Sequence, residues 1–136
     1  MSLPALFPTT NGMEPTVTPT LHVKRAYDAP ADADGRRILV DRLWPRGLSR
    51  DKARLDHWAK DVAPSDALRR WFGHDAEKWA EFGRRYREEL RRNPDAVAAL
   101  RREIGDAAAT LVYAAHDEAH NNALVLRDFL LSRTDD

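Results

Sequence analysis

A chain of 136 residues with 43% hydrophobic content is sized for one domain built around one hydrophobic core. Its apolar runs, such as 124–126 and 129–131, are far too short to cross a bilayer; no basic-then-apolar leader opens it; and the lack of cysteine excludes disulfides, a catalytic thiol and thiolate-held metal. Acids and bases balance at 22 each, which argues against a life on nucleic acid, and the reducing cytoplasm is the expected location.

Residues 1–20 hold Pro4, Pro8, Pro15 and Pro19 among Thr, Asn and Gly, a density that reads as a disordered or loosely attached tail. Order is expected from 21 to 133 as a single domain. Leu21, Val23 and Arg25 alternate with His22, Lys24 and Ala26, the period of a half-exposed strand. Residues 28–35 are turn chemistry throughout. Residues 37–43 carry the apolar run Ile38, Leu39, Val40 and read as a buried strand, stopped at Trp44-Pro45-Arg46-Gly47 because proline cannot donate to a ladder and glycine permits a sharp turn.

Ser49 caps a short helix at 50–53, and 54–60 reads as a short strand. Ser65 as cap and Gly73 as stop define a helix over 66–72. Asp75 opens the next, over about 75–92, where Trp79, Phe82, Tyr86 and Leu90 form an amphipathic stripe. Asn93-Pro94 starts another, which Gly105 closes. Residues 110–115 are a second buried strand, followed by a helix from about 117 to 133 with Ala123, Leu126, Phe129 and Leu130 on its inner side. Strands separated by helical stretches imply an α/β fold: a small, mostly parallel sheet with flanking helices.

Three places carry residues suited to chemistry. The first is Asp41-Arg42-Leu43-Trp44-Pro45-Arg46-Gly47, leaving a buried strand at its carboxyl end, where ligands bind in parallel α/β sheets. Arg42 and Arg46 suit a phosphate or carboxylate, and Trp44 suits stacking on a planar group, although the indole equally suits plugging the core. The second is Tyr113 to Asn122, entering a helix whose first N–H groups attract anions. Here His116, His120 and Asn121 face a ligand, with His120 as the proton donor or acceptor; the plainer alternative makes Asp117 the helix cap and His120 and Asn121 ordinary first-turn residues. His116 and His120 only superficially resemble a zinc-protease motif, since the glutamate stands one place late, so no metal or other cofactor is expected. The third is Asp56–Lys60 with Leu68-Arg69, where Lys60 and Arg69 add positive charge to the same cleft or flank a buried Trp58. The arginine pairs at 84–85, 91–92 and 101–102 look like a nucleic-acid face, but Arg84–Glu88, Arg85–Glu89 and Glu88–Arg92 stand at i,i+4 and read better as a solvated salt-bridge lattice.

At these same places the chain resembles the short, YeaO-like members of the DUF488 family. The resemblance rests on 23–27 (VKRAY), 40–47 (VDRLWPRG), Trp58-Ala59-Lys60 with Pro64-Ser65 and Leu68-Arg69, then 111–115 (LVYAA) with His120-Asn121 and Val125-Leu126. It covers nearly all of 21–132 and implies a compact bacterial α/β protein, with no reaction transferred. Longer relatives tend to carry cysteine in the loop matching 115–121, and short ones often lysine at the place of His116; this chain has neither there. The expected function is therefore a small-molecule site for a phosphorylated or carboxylated ligand, built from Arg42, Trp44, Arg46, Gly47, Lys60, Arg69, His116 and Asn121 with His120 for proton transfer. Two alternatives stay open: a protein-interaction module, with another protein or a second copy as partner, and nucleic-acid binding through the arginine-rich helices.

Overall fold

The computed structural model describes residues 20–132. The expected tail therefore lies outside the described residues, Thr20 excepted. Four strands, β1 (Leu21–Arg25), β2 (Arg36–Leu39), β3 (His57–Trp58) and β4 (Ala109–Tyr113), form one sheet in the order β1-β4-β2-β3. All pairings are parallel, with Val23 and Ile38 both opposite Leu111 and Ile38 also opposite His57. Strand β4 is buried over its whole length and β2 over its last three residues, as continuous apolar runs require. Edge strand β1 is half-exposed but does not alternate: Leu21 is buried, His22 exposed and Val23, Lys24 and Arg25 are all intermediate. Strand β2 is shorter than the expected 37–43. One further ladder bond, from Val40 N–H to the Val112 carbonyl, carries the pairing on before the chain turns away.

Alternating residues give the sheet two different faces. Ile38, Val40, Leu111 and Tyr113 enter the main core with Tyr86, Leu100 and Leu126 from the helices. Leu39, Val112 and Ala26 form a smaller cluster on the opposite face, covered by Trp44, Leu48, Leu55 and Trp58. Trp44 and Trp58 meet edge to face at 5.6 Å, and each indole N–H is satisfied by a carbonyl, of Leu48 and Asp41 respectively.

The helices are α1 (Arg50–Ala53), α2 (Asp66–Phe72), α3 (Trp79–Arg91), α4 (Pro94–Ile104) and α5 (Asn122–Leu131). Ser49 and Ser65 cap α1 and α2 through N–H groups three residues on. Asp75 caps a 3₁₀ turn, Ala76–Lys78, that leads into α3, so the α-helix starts four residues later than expected. Asn93 precedes α4 but spends its amide on the Asp61 carbonyl instead of a cap. The surface of α3 carries an ion-pair lattice with partners other than the expected ones: Glu81 holds Arg84 and Arg85, and Glu88 holds Arg91.

Helix α5 is the main correction. It begins at Asn122, with Asn121 as the cap accepting from Leu124 N–H, and not near Asp117. Asp117 instead folds its carboxylate over the Ala119 and His120 N–H groups. His120 and Asn121 therefore precede the first turn, contrary to the sequence reading.

At the amino edge of the sheet, Asp34 stands two residues before β2, 7% exposed. Arg37 Nη1 reaches it at 2.6 Å, Lys24 Nζ at 3.1 Å and Ala31 N–H at 3.0 Å. The Asp34 carbonyl accepts from the Thr110 hydroxyl, and Arg37 Nε donates to Ala53 O. Next to it Gly35 has φ +65°, and a Cβ there would stand 2.0 Å from the Ala108 carbonyl oxygen, so this crossing requires glycine.

Candidate functional site

Because β2 and β4 are neighbours, the loops leaving their carboxyl ends lie side by side. Asp41 Oδ2 accepts from Ala114 N–H at 2.9 Å, and Asn122 Nδ2 donates to the Val40 carbonyl at 3.1 Å. From β1, Arg25 Nε donates to Ala115 O, and the Tyr27 hydroxyl donates to Arg46 O at 2.8 Å. These bonds enclose a pocket of about 710 Å³. That is the size of a small-molecule site, at the sheet edge where such sites form.

The pocket grades from apolar to charged. Its deep wall is buried Pro64, Phe72 and Phe82, the two rings stacked at 4.4 Å. Its mouth is exposed Tyr27, Leu43, Arg46, Arg69, His74 and His116. Between them stand half-buried Asp41, Arg42, Trp44, Asp117, His120 and Asn122 with buried Asn121.

Seven residues singled out in the sequence line this space: Arg42, Trp44, Arg46, Arg69, His116, His120 and Asn121. Gly47 and Lys60 are not among the lining residues. Gly47 takes φ +77°, which serves the turn. Lys60 Nζ lies 4.3 Å from the centre of the Trp58 ring, where its charge is held by the indole.

The lining cations differ in freedom. Arg42 is turned onto the Ala63 and Pro64 carbonyls, at 3.2 and 3.4 Å. Arg69 makes one exposed pair with Asp66 at 3.2 Å. The Arg46 side chain has no hydrogen-bond or ion-pair partner among the described residues. Trp44 packs on the sheet and also lines the pocket, with the Arg50 guanidinium 4.7 Å from its ring centre.

His120 Nδ1 is 2.9 Å from Asp117 Oδ2, and its ring meets Trp79 edge-on at 5.2 Å. The histidine hydrogen bond and the Ala119 N–H hold the Asp117 carboxyl below its usual range. An ionised carboxylate only accepts, so Nδ1 carries a proton toward Asp117 and Nε2 is turned away from it. His116 has the opposite arrangement: Arg25 Nη2 lies 3.4 Å from its Nδ1 and can only donate, which leaves the proton on Nε2. Asn121 spends its oxygen on the α5 cap and its amide on the Asp117 carbonyl.

Among the lining residues that were not named as site residues from the sequence are Phe72, Phe82, His74 and Asp41. His74 follows the Gly73 stop with φ +59°, and only the fold carries it to the pocket mouth. Asp41 had a visible signal, a carboxylate placed directly after an apolar strand. Burial raises its carboxyl above the usual range, against the opposing pull of Ala114 N–H, Asn122, Arg69 and His74. Among the described residues no group of three or more His, Cys, Asp or Glu side chains gathers closely enough to hold a metal ion. No described helix is long and apolar enough to cross a membrane.

Comparison with known proteins gives a consistent answer. Residues 20–136 match the family model described as the inactive DUF488-N3 subclade. The chain is 42% identical over 113 residues to Uncharacterized protein Rv3073c of Mycobacterium tuberculosis, covering 83% of this chain and 95% of the relative. It is 39% identical over 112 residues to Uncharacterized protein YeaO of Escherichia coli, covering 82% and 97%. No solved structure matches.

Proposed function

The chain belongs to the DUF488 family, and from that premise we propose that it binds an anionic small molecule with a planar apolar body, without turning it over. One observation carries this reading: a buried aromatic wall of Phe72 and Phe82 lies beneath a mouth that holds the unpartnered Arg46 and the loosely paired Arg69. An apolar ring gains by leaving water against the wall, and a phosphate or carboxylate at the mouth gains two guanidinium partners. The matching subclade's description as inactive supports binding over turnover.

The Asp117–His120 pair favours a second reading, in which Nε2 of His120 takes a proton from the ligand. It predicts product formation that His120→Ala abolishes, whereas a binding protein keeps its affinity in that variant.

The test is thermal unfolding against phosphates, nucleotides and aromatic carboxylates, with Arg46→Ala in parallel. Ligand at a hundredfold over its dissociation constant adds about 2.7 kcal/mol, a rise on the order of 5–10 °C. A rise that Arg46→Ala removes supports the site. A flat panel overturns it in favour of a protein-docking role for the exposed Leu43 and Tyr27, which are 62% and 43% exposed.

A further inference from the structure

We propose that Asp41 selects the ligand, accepting a hydrogen bond from an N–H group that the molecule carries apart from its anionic group. The inference rests on the anion-binding reading and narrows the ligand class within it to aromatic anions that also carry a nitrogen donor.

The geometry of Asp41 is unlike that of any other acid in the pocket. Asp117 is taken by His120 and two loop N–H groups. Asp41 stands two residues beyond β2, between the two central strands, and forms no ion pair among the described residues. Its partners are the Ala114 N–H on Oδ2 and the Asn122 side chain. A carboxylate has about four acceptor positions, so capacity remains for a ligand.

Two consequences fix the polarity of the bound molecule. Like charges repel, so an anionic group does not settle beside Asp41 and is driven to Arg46 and Arg69 at the mouth. The group that reaches Asp41 must then be a donor, because a purely apolar end would leave the carboxylate further desolvated and unpaired. Burial already strains the ionised form of Asp41, and a donor from the ligand relieves that cost.

The experiment measures dissociation constants by calorimetry for matched probes: benzoate, 4-aminobenzoate and 4-(aminomethyl)benzoate, then phenyl phosphate and 4-aminophenyl phosphate. Wild type is expected to prefer the nitrogen-bearing member of a series by about tenfold or more. The neutral amine and the ammonium arms tell a hydrogen-bond donor from a cation. In Asp41→Asn the amide oxygen stays with the Ala114 N–H and the NH₂ group meets the ligand's donor, so the ratio falls to about one or below. Should that variant misfold, the wild-type ratio measured against pH replaces it: the preference fades as pH falls through the titration of Asp41, while the parent probes set the baseline.

Equal binding of parent and amino probes by wild type overturns the inference and leaves the anion site standing. A preference that persists in folded Asp41→Asn removes Asp41 from it. Failure of every probe to bind overturns both.

Discussion

Two aspartates bracket the same strand, two residues before β2 and two residues after it, and their surroundings push them in opposite directions. Burial works to raise Asp34, but the Ala31 N–H, Lys24 and Arg37 outweigh it and leave the carboxyl lowered. Burial also works to raise Asp41, and there the Ala114 N–H, Asn122 and the more distant Arg69 and His74 do not compensate. One end of the sheet holds its carboxylate in an ion-paired knot that ties β1, β2 and the end of α1 together, with Arg37 Nη2 buried there without a hydrogen-bond partner among the described residues. The other end has left a carboxylate facing a cavity. The difference separates an end whose carboxylate is ion-paired from an end whose carboxylate keeps hydrogen-bonding capacity to spare at the sheet edge where ligands bind in parallel α/β folds.

The sharpest way to break this comparison is Arg37→Ala. Arg37 is 3% exposed, and removing it strands Asp34 in a buried site, so a loss of about 3–5 kcal/mol in urea unfolding is expected. A loss under 1 kcal/mol would mean that the knot is ornamental. Gly35→Ala comes next, at roughly 2–3 kcal/mol, because the added Cβ meets the Ala108 carbonyl and φ is positive.

The pH dependence of stability sharpens the contrast. Asp34, lowered from 3.8, contributes stability that is present above that pH and is lost as pH falls through its folded value. Asp41, raised from 3.8, behaves in reverse: the fold is favoured below that pH, and the advantage is lost as pH rises through the folded value. Relative to wild type, Asp34→Asn should therefore look least harmful in acid. Asp41→Asn should gain relative stability as pH climbs from 3.8 towards neutrality. Denaturation curves at several pH values check both, and slopes of the same sign would sink the distinction. The smallest effect is Arg46→Ala, expected within about 0.5 kcal/mol of wild type without ligand. A large loss would show that this arginine has a structural task.

Much of the fold was legible because its signals are local. Ser49 and Ser65 announce α1 and α2, Gly73 ends α2, and the runs read at 38–40 and 110–115 overlap the two central strands, which span 36–39 and 109–113. The start of α5 was not legible. Asp117 and Asn121 are both good caps, and the choice falls to Asn121 because Asn122 is drawn across to the Val40 carbonyl, a partner 82 positions away. The site was legible in the same uneven way. The loops at Arg42–Arg46 and His116–Asn121 were found because they leave apolar strands. Lys60 had two readings, in the cleft or beside Trp58, and the fold lays it on Trp58; His74 had no signal of its own.

The sequence by itself determined the strands, most helix boundaries, the parallel α/β class and the two loops that bear the arginines and histidines. Those follow from side-chain period and capping, which act over a few residues. Only the tertiary structure decided that β4 inserts between β1 and β2, and so which loops share a pocket. It also decided which of two similar aspartates is neutralised and which is left open. A carboxylate's partners are set by strand order and burial, and neither is written in the residues beside it.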